Sequence, residues 1–248
     1  MILIKTGDEL RRMRDAGRIV AEILALLSEK IAPGVTTLEL DRLAERECRK
    51  RGAKPAFKGY GGFPFSICAS PEDRVVHGFA SDRPLVEGEI LSIDFGVVWK
   101  GFHGDSAVTL PVGAIGAEKQ KLLDVTRRSL EMGIAQAKVG NRLFDISHAV
   151  QSYVEKHGFS VVKEFVGHGI GRGLHEDPQV PNFGPPGQGP LLRSGMVLAI
   201  EPMVNAGKGG VKVLEDGWTA VTLDGKPSAH FEHTVAITEE GPQILTAV

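Results

Sequence analysis

Four carboxylates occupy comparable places in this chain, each at the edge of an apolar run of strand type. Asp94 ends Gly88-Glu89-Ile90-Leu91-Ser92-Ile93-Asp94, and Glu201 ends Gly195-Met196-Val197-Leu198-Ala199-Ile200-Glu201. Asp105 opens Asp105-Ser106-Ala107-Val108-Thr109-Leu110, and Glu232 opens Glu232-His233-Thr234-Val235-Ala236-Ile237. A single carboxylate after an apolar run ends a strand or caps a helix. Four of them clustered on buried strands repel one another and each costs on the order of several kcal/mol to desolvate. No Arg or Lys interrupts these stretches, so cations are the natural counter-charge, and two divalent ions neutralise four carboxylates. Oxygen-dominated coordination with one imidazole suits Mn, Fe(II), Co or Zn, and bridging carboxylates hold metal pairs in hydrolytic sites. His168 offers the imidazole. It lies in Val166-Gly167-His168-Gly169-Ile170-Gly171-Arg172-Gly173-Leu174-His175, where glycines remove bulk around two histidines.

Rival chemistries lack their residues. Gly167, Gly169 and Gly171 do not have the spacing of a dinucleotide loop, no phosphate-binding Gly-x-x-x-x-Gly-Lys-Ser/Thr occurs, and His175-Glu176 is not followed by a histidine at zincin spacing. Gly104-Asp105-Ser106 resembles the start of a serine-nucleophile motif, but Ala107-Val108 follows where glycines are needed, and no Gly-x-Ser-x-Gly is present.

The elements that must position these side chains follow a repeated order. Thr6 with Glu9 forms a capping-box pattern before a helix whose apolar residues, from Leu10 to Leu27, predict an end at Pro33-Gly34; Thr36 with Glu39 opens a second helix running to Gly52. Short apolar runs at Val75-Val76, Ile90–Ile93 and Ala107–Leu110 read as strands. The order then returns, with helices from about Ala117 to Ala137 and Leu143 to His157, then strands. The two acid-bearing strand pairs align with each other, and Val76-His77-Gly78-Phe79 has its counterpart in Gly167-His168-Gly169-Ile170. The expectation is an α+β fold of two duplicated halves, about 1–112 and 113–248, whose equivalent acids face each other across a pseudo-two-fold axis.

With 248 residues and 26.6 kDa the chain is near the upper size for one core, and 1–248 reads as a single catalytic domain. A formal charge of -2 gives no basic field for nucleic acid as substrate. Two cysteines, Cys48 and Cys68, exclude a disulfide scaffold. The opening residues carry Lys5, Asp8 and Glu9 instead of an apolar signal core, and no apolar run reaches the roughly 18 residues of a membrane span, so a cytoplasmic location without membrane contact is expected.

Beyond this residue-level reading, Val76-His77-Gly78, Ser92-Ile93-Asp94-Phe95-Gly96, Gly104-Asp105-Ser106-Ala107, Gly167–Gly171, Leu174-His175-Glu176-Asp177-Pro178, Gly195–Pro202, Asp216-Gly217-Trp218 and Phe231-Glu232-His233-Thr234 resemble motifs of the type I methionine aminopeptidases. That family has the duplicated pita-bread fold, a central antiparallel sheet with helices on the outer face, which it shares with aminopeptidase P, prolidase and creatinase. The resemblance covers nearly the whole chain, which has no room for the extra amino-terminal domain of aminopeptidase P and creatinase or for the type II helical insertion.

It implies an enzyme that removes initiator methionine from nascent polypeptide N-termini when the second residue is small, with two divalent ions (Co, Mn, Fe or Zn). Asp94 would chelate one metal, Asp105 and Glu232 would bridge, and His168 and Glu201 would complete the other. Glu201 would also accept a proton from a metal-activated water. His175 would stabilise the oxyanion, and His77 would hydrogen-bond the scissile-bond nitrogen. Tyr60, Phe63, Cys68 and Trp218 would form the methionine slot, together with Leu174, where the family commonly has an aromatic residue. His230 stands where a glutamine is common near the second substrate residue, and Ser70-Pro71-Glu72-Asp73-Arg74 departs from the form that carries a monovalent cation. The resemblance further implies a monomer, with ribosome association as an accompanying expectation. A prolidase-type dipeptidase would use the same metal set and is the alternative reading.

Overall fold

The computed structural model describes residues 1–247. Helices α1 (Gly7–Ser28) and α2 (Thr37–Lys50) precede strands β1 (Lys54–Pro55), β2 (Cys68–Pro71), β3 (Arg74–Val76), β4 (Ile90–Trp99) and β5 (Phe102–Pro111). The order repeats with α3 (Ala117–Ile134), α4 (Leu143–Lys156), β6 (Ser160–Val161), β7 (Gly167–Gly169), β8 (Glu176–Val180) and β9 (Val197–Ile200). It finishes with β10 (Met203–Asn205), β11 (Val211–Val213), β12 (Ala220–Thr222), β13 (Ser228–His230), β14 (His233–Thr238) and β15 (Gly241–Ile244).

Both capping boxes form, since each threonine side chain accepts from the backbone N–H of its glutamate while that glutamate accepts from the threonine N–H. Helix α1 stops at Ser28, short of the Pro33-Gly34 end expected from its sequence. The intervening backbone is needed elsewhere: Gly34 donates to Leu85 O, and Leu85 donates to Val35 O.

In the first half β4 is central, flanked by β1, β2 and β5 in antiparallel register. Lys100-Gly101 joins β4 to β5 with both φ positive, at 47° and 81°, as a tight primed hairpin turn requires. The second half forms a five-stranded antiparallel sheet in the order β15-β14-β9-β7-β8. Smaller three-stranded sheets complete the chain, and one of them ties β12 to β3 across the halves.

The expected central sheet is therefore two main sheets meeting at a seam between β5 and the residues around the start of β14. Glu232 N donates to Ala107 O at 2.9 Å, but elsewhere along the seam threonine hydroxyls stand in for the backbone. Thr234 Oγ1 accepts from Asp105 N at 3.1 Å and donates to Asp105 O at 2.7 Å. In the mirrored arrangement, Thr109 Oγ1 accepts from His230 N and donates to His230 O, both at 2.8 Å.

Alternation sorts the strands into two faces. Leu91, Ile93, Phe95 and Val97 pack with Ile19, Ile23 and Leu27 of α1 and Leu40 of α2. Leu198, Ile200, Val235 and Ile237 pack with Leu122 and Leu123 of α3 and Ile146 and Val150 of α4. Helix α1 sits so close to β5 that a Cβ on Gly104 would lie 2.8 Å from Gly17 N, and one on Gly17 would lie 2.3 Å from Leu245 O. Either substitution would push the helix off the sheet. Among the described residues no helix is long and apolar enough to cross a membrane.

Candidate metal centre

The face opposite the helices carries the acids. Asp94 pairs with Ala107 and Gly96 with Asp105, so Asp94 and Asp105 are diagonal neighbours on that face. Ala199 pairs with both His168 and Thr234, which sets Glu201, Glu232 and His168 on the same face by alternation. The seam then brings the two sets together. Asp105, His168 and Glu232 offer donor atoms all within 4.8 Å of one another, and Glu201 Oε1 lies 3.5 Å from His168 Nε2. Asp94, Asp105, His168, Glu201 and Glu232 all line one cavity of about 150 Å³.

Close approach explains the local glycines. A Cβ on Gly96 would meet Phe57 at 2.9 Å and Asp105 Oδ1 at 3.2 Å, and one on Gly169 would meet Asp177 O at 2.1 Å, where β7 and β8 shift register beside His168.

The electrostatics are those of carboxylates without a counter-charge. Asp94 Oδ1, Asp105 Oδ1 and Glu232 Oε1 are buried with no hydrogen-bond partner. Burial lifts the Asp105 carboxyl to about 7. Burial, with neighbouring acids adding to it, lifts Asp94, Glu201 and Glu232 well above the usual carboxylate range. His168 moves the other way, to about 4, because burial and the nearby His175 disfavour its charged form. It is neutral at pH 7. Its Nδ1–H is donated to Gly169 O at 2.9 Å, leaving the Nε2 lone pair facing Glu201.

Such a set fits a divalent cation: oxygens with unused lone pairs, a neutral imidazole with its tautomer fixed, and no paired Lys or Arg among the described residues.

Above this floor stand the remaining residues singled out in the sequence. Phe63, Cys68 and Leu174 are buried, Trp218 is half-buried and Tyr60 is exposed at the mouth, and all five line the cavity. Phe63 packs edge-on to Trp218 with centroids 5.1 Å apart. The Tyr60 hydroxyl is 2.8 Å from His175 Nδ1, and the His175 and His168 rings are 4.4 Å apart. His77 lines the cavity in a left-handed conformation (φ 58°), and burial holds it neutral, with its pKa at about 4. Backbone strain of this kind is concentrated at functional sites.

A larger cleft of about 600 Å³ lies on the helix side, between α1 and α3, but there Ser106, His233 and Thr246 sit among mainly apolar walls without an acid cluster.

The profile of metallopeptidase family M24 matches residues 11–239. The chain belongs to that family. Methionine aminopeptidase 1 of Bacillus subtilis is 58% identical over 248 residues, covering 100% of both chains. The crystal structure of methionine aminopeptidase from Thermotoga maritima superposes with a TM-score of 0.98 at 49% identity over 100% of both chains. Prolidase from Pyrococcus furiosus, at 23% identity and a TM-score of 0.80 over 99% of this chain and 65% of its own, shares the fold alone. The duplicated pita-bread architecture is thus that of this M24 chain, and as a metallopeptidase it depends on divalent metal.

Phe57 lay outside the expectations from sequence, and His230 is placed differently from them. Phe57, 7% exposed, lines the cavity beside Asp105; its position next to Ala56 gave no sign of this. His230, expected beside the second substrate residue, is 1% exposed and lies behind Glu201, with Nε2 3.4 Å from Glu201 Oε2. Burial and nearby His77 lower its pKa to about 3.

Proposed function

We propose that this chain is a methionyl aminopeptidase, a dinuclear metallo-hydrolase that removes the initiator methionine from nascent polypeptide N-termini when the second residue is small. The observation that carries the reading is the contact between an uncompensated five-donor floor and a small apolar slot in one cavity. At about 150 Å³ the cavity is on the scale of one side chain. The whole chain, with halves 1–112 and 113–248, acts as one catalytic domain, a monomer in the cytoplasm with ribosome association.

Asp94, Asp105, His168, Glu201 and Glu232 would hold two divalent ions, drawn from Co, Mn, Fe or Zn. When bound, such a pair supplies Lewis acidity and lowers the pKa of water. Glu201, at the edge of the floor, accepts the proton that water loses. His175 donates from Nε2 to the developing oxyanion, its orientation set by Tyr60 at Nδ1. His77 hydrogen-bonds the scissile-bond nitrogen. Tyr60, Phe63, Cys68, Leu174 and Trp218 exclude water around the methionine side chain.

Hydrolysis of Met-Ala-Ser by the metal-loaded protein, compared with X-Pro dipeptides, tests the reading. Release of methionine without X-Pro cleavage is expected; preferential X-Pro cleavage would assign the chain to the dipeptidase class.

A further inference from the structure

His230 belongs neither to the five donors nor to the slot wall, yet its placement is closely defined. Its backbone is clamped on both sides by the Thr109 hydroxyl, so the seam that aligns the acids also aligns this ring. The ring is 1% exposed, and Nε2 is a buried atom without a hydrogen-bond partner. What it faces is Glu201 Oε2 at 3.4 Å, while Glu201 Oε1 faces His168 Nε2 at 3.5 Å. Glu201 thus sits between two imidazoles, one for each oxygen. The imidazoles differ in what they can offer. His168 has committed its proton to Gly169 O and presents a lone pair. With Glu201 ionised by a cation at Oε1, a lone pair on His230 Nε2 would repel the Oε2 it faces, so the proton of the neutral ring belongs on Nε2, and a buried N–H left unpaired is costly.

We propose that His230 is a positioning residue for the metal centre: its Nε2–H is donated to Glu201 Oε2, which reserves Oε1, on the His168 side, for the cation. The proposal rests on the reading of Glu201 as a metal ligand.

Cobalt binding to the purified metal-free protein tests it, read by calorimetry and by the visible d–d absorption of Co²⁺ and independent of turnover. His230→Leu should weaken the tighter Co²⁺ site about 10–100-fold and alter the absorption bands, whereas His230→Gln, which keeps a donor, should stay within about 3-fold of the parent. A leucine variant with parental affinity and spectrum overturns the proposal. So does a glutamine variant as weak as the leucine one, since bulk and not the donor would then matter. Glu201→Gln separates the two readings. If it binds Co²⁺ like the parent, the ligand assignment itself fails; if it is weakened while His230→Leu is not, only the role of His230 fails. Should His230→Leu not fold, ¹⁵N-histidine spectra of the parent with and without Zn²⁺ decide: a proton on Nε2 in the loaded protein is expected, and a proton on Nδ1 alone overturns the proposal.

Discussion

The two halves bring their acids to one face by different means. In the first half Asp94 and Asp105 lie on a continuous hairpin of two ten-residue strands, where direct diagonal pairing lets short aspartates meet. In the second half Glu201 and Glu232 flank strands of four and six residues, separated by the excursion through β10 to β13, and the acids are the longer glutamates. The related histidines diverge further. His168 is fixed by ladder pairing to Ala199, whereas His77 is displaced into a left-handed turn after β3 and lines the cavity beside Trp218. The frame is symmetric, and loss of symmetry at the histidines separates a donor beside the acids from an imidazole on the cavity wall beside Trp218.

The largest effects come from breaking the second half's contribution. His168→Ala or Glu201→Ala should abolish turnover of Met-Ala-Ser and reduce bound metal, measurable by elemental analysis, because both touch the same corner of the floor. Full activity in either purified variant would remove it from the ligand set. His175→Ala should behave differently, keeping its metal but losing about 10²–10³ in kcat, or ~2.7–4 kcal/mol, the range for one oxyanion donor. Metal loss in this variant would make His175 a ligand and dissolve the distinction between floor and mouth.

How much of this was legible follows the reach of each interaction along the chain. Thr6 with Glu9 and Thr36 with Glu39 act over one helical turn, and both boxes form as read. The four acids were legible because strand alternation and desolvation cost apply wherever the strands end up. Thr109 and Thr234 were not, since their partners are His230 and Asp105, more than a hundred residues away, and a strand threonine looks the same with or without such a partner. Phe57 falls in the same class, an aromatic after Ala56 that acquires meaning only beside Asp105, while His230 was singled out as a substrate neighbour and its contact with Glu201 appears only when the seam places it there.

Removing metal should expose the strain in the floor as a pH dependence of stability. Unfolded carboxylates titrate near ~4. In the chelated folded chain burial lifts Asp105 to about 7 and holds Asp94, Glu201 and Glu232 well above the usual carboxylate range, so the folded state holds protons that the unfolded state has released, and stability is lost as pH rises from ~4 toward the folded values. His77 and His168 at about 4 and His230 at about 3 work oppositely, adding stability as pH climbs to the unfolded histidine value near ~6.5. At ~6.5 half of each unfolded histidine is still charged, so this contribution levels off only about one pH unit higher; between ~5 and ~7 it is the same with and without metal, because the folded rings are neutral in both. The melting temperature of the chelated protein should therefore fall further below that of the metal-loaded protein as pH rises from ~5 to ~7, by at least about 2 °C at the usual conversion for a chain of this size. Glu232→Gln, which removes one buried charge, should make that gap widen less; a gap that stays constant or closes with rising pH in the parent would contradict the account.

The smallest effect concerns the slot wall, where the halves contribute unequally: Tyr60, Phe63 and Cys68 from the first, Leu174 and Trp218 from the second. Leu174 is 3% exposed and packs in one cluster with Phe63, Cys68 and Ile170. An aliphatic wall at Leu174 would offer methionine sulfur no ring face there, and a sulfur–aromatic contact is worth only about 0.3–1.5 kcal/mol, so methionine should still be preferred through Tyr60, Phe63 and Trp218. Leu174→Phe would supply that face and narrow the slot, at about 1–3 kcal/mol of stability if the cluster cannot relax. A hydrophobic slot discriminates one methylene by about 1–3 kcal/mol, so norleucine should remain a substrate in both proteins while leucine, branched nearer the backbone, is disfavoured more strongly in the variant. The measurement is kcat/KM for Met-Ala-Ser, norleucine-Ala-Ser and Leu-Ala-Ser. The methionine-to-leucine ratio should rise by roughly 2–10-fold in Leu174→Phe, the span of the sulfur–aromatic contact. A ratio unchanged in a folded, metal-replete variant would mean that the wall at Leu174 does not touch the substrate side chain, and that the second half contributes to selectivity through Trp218 alone.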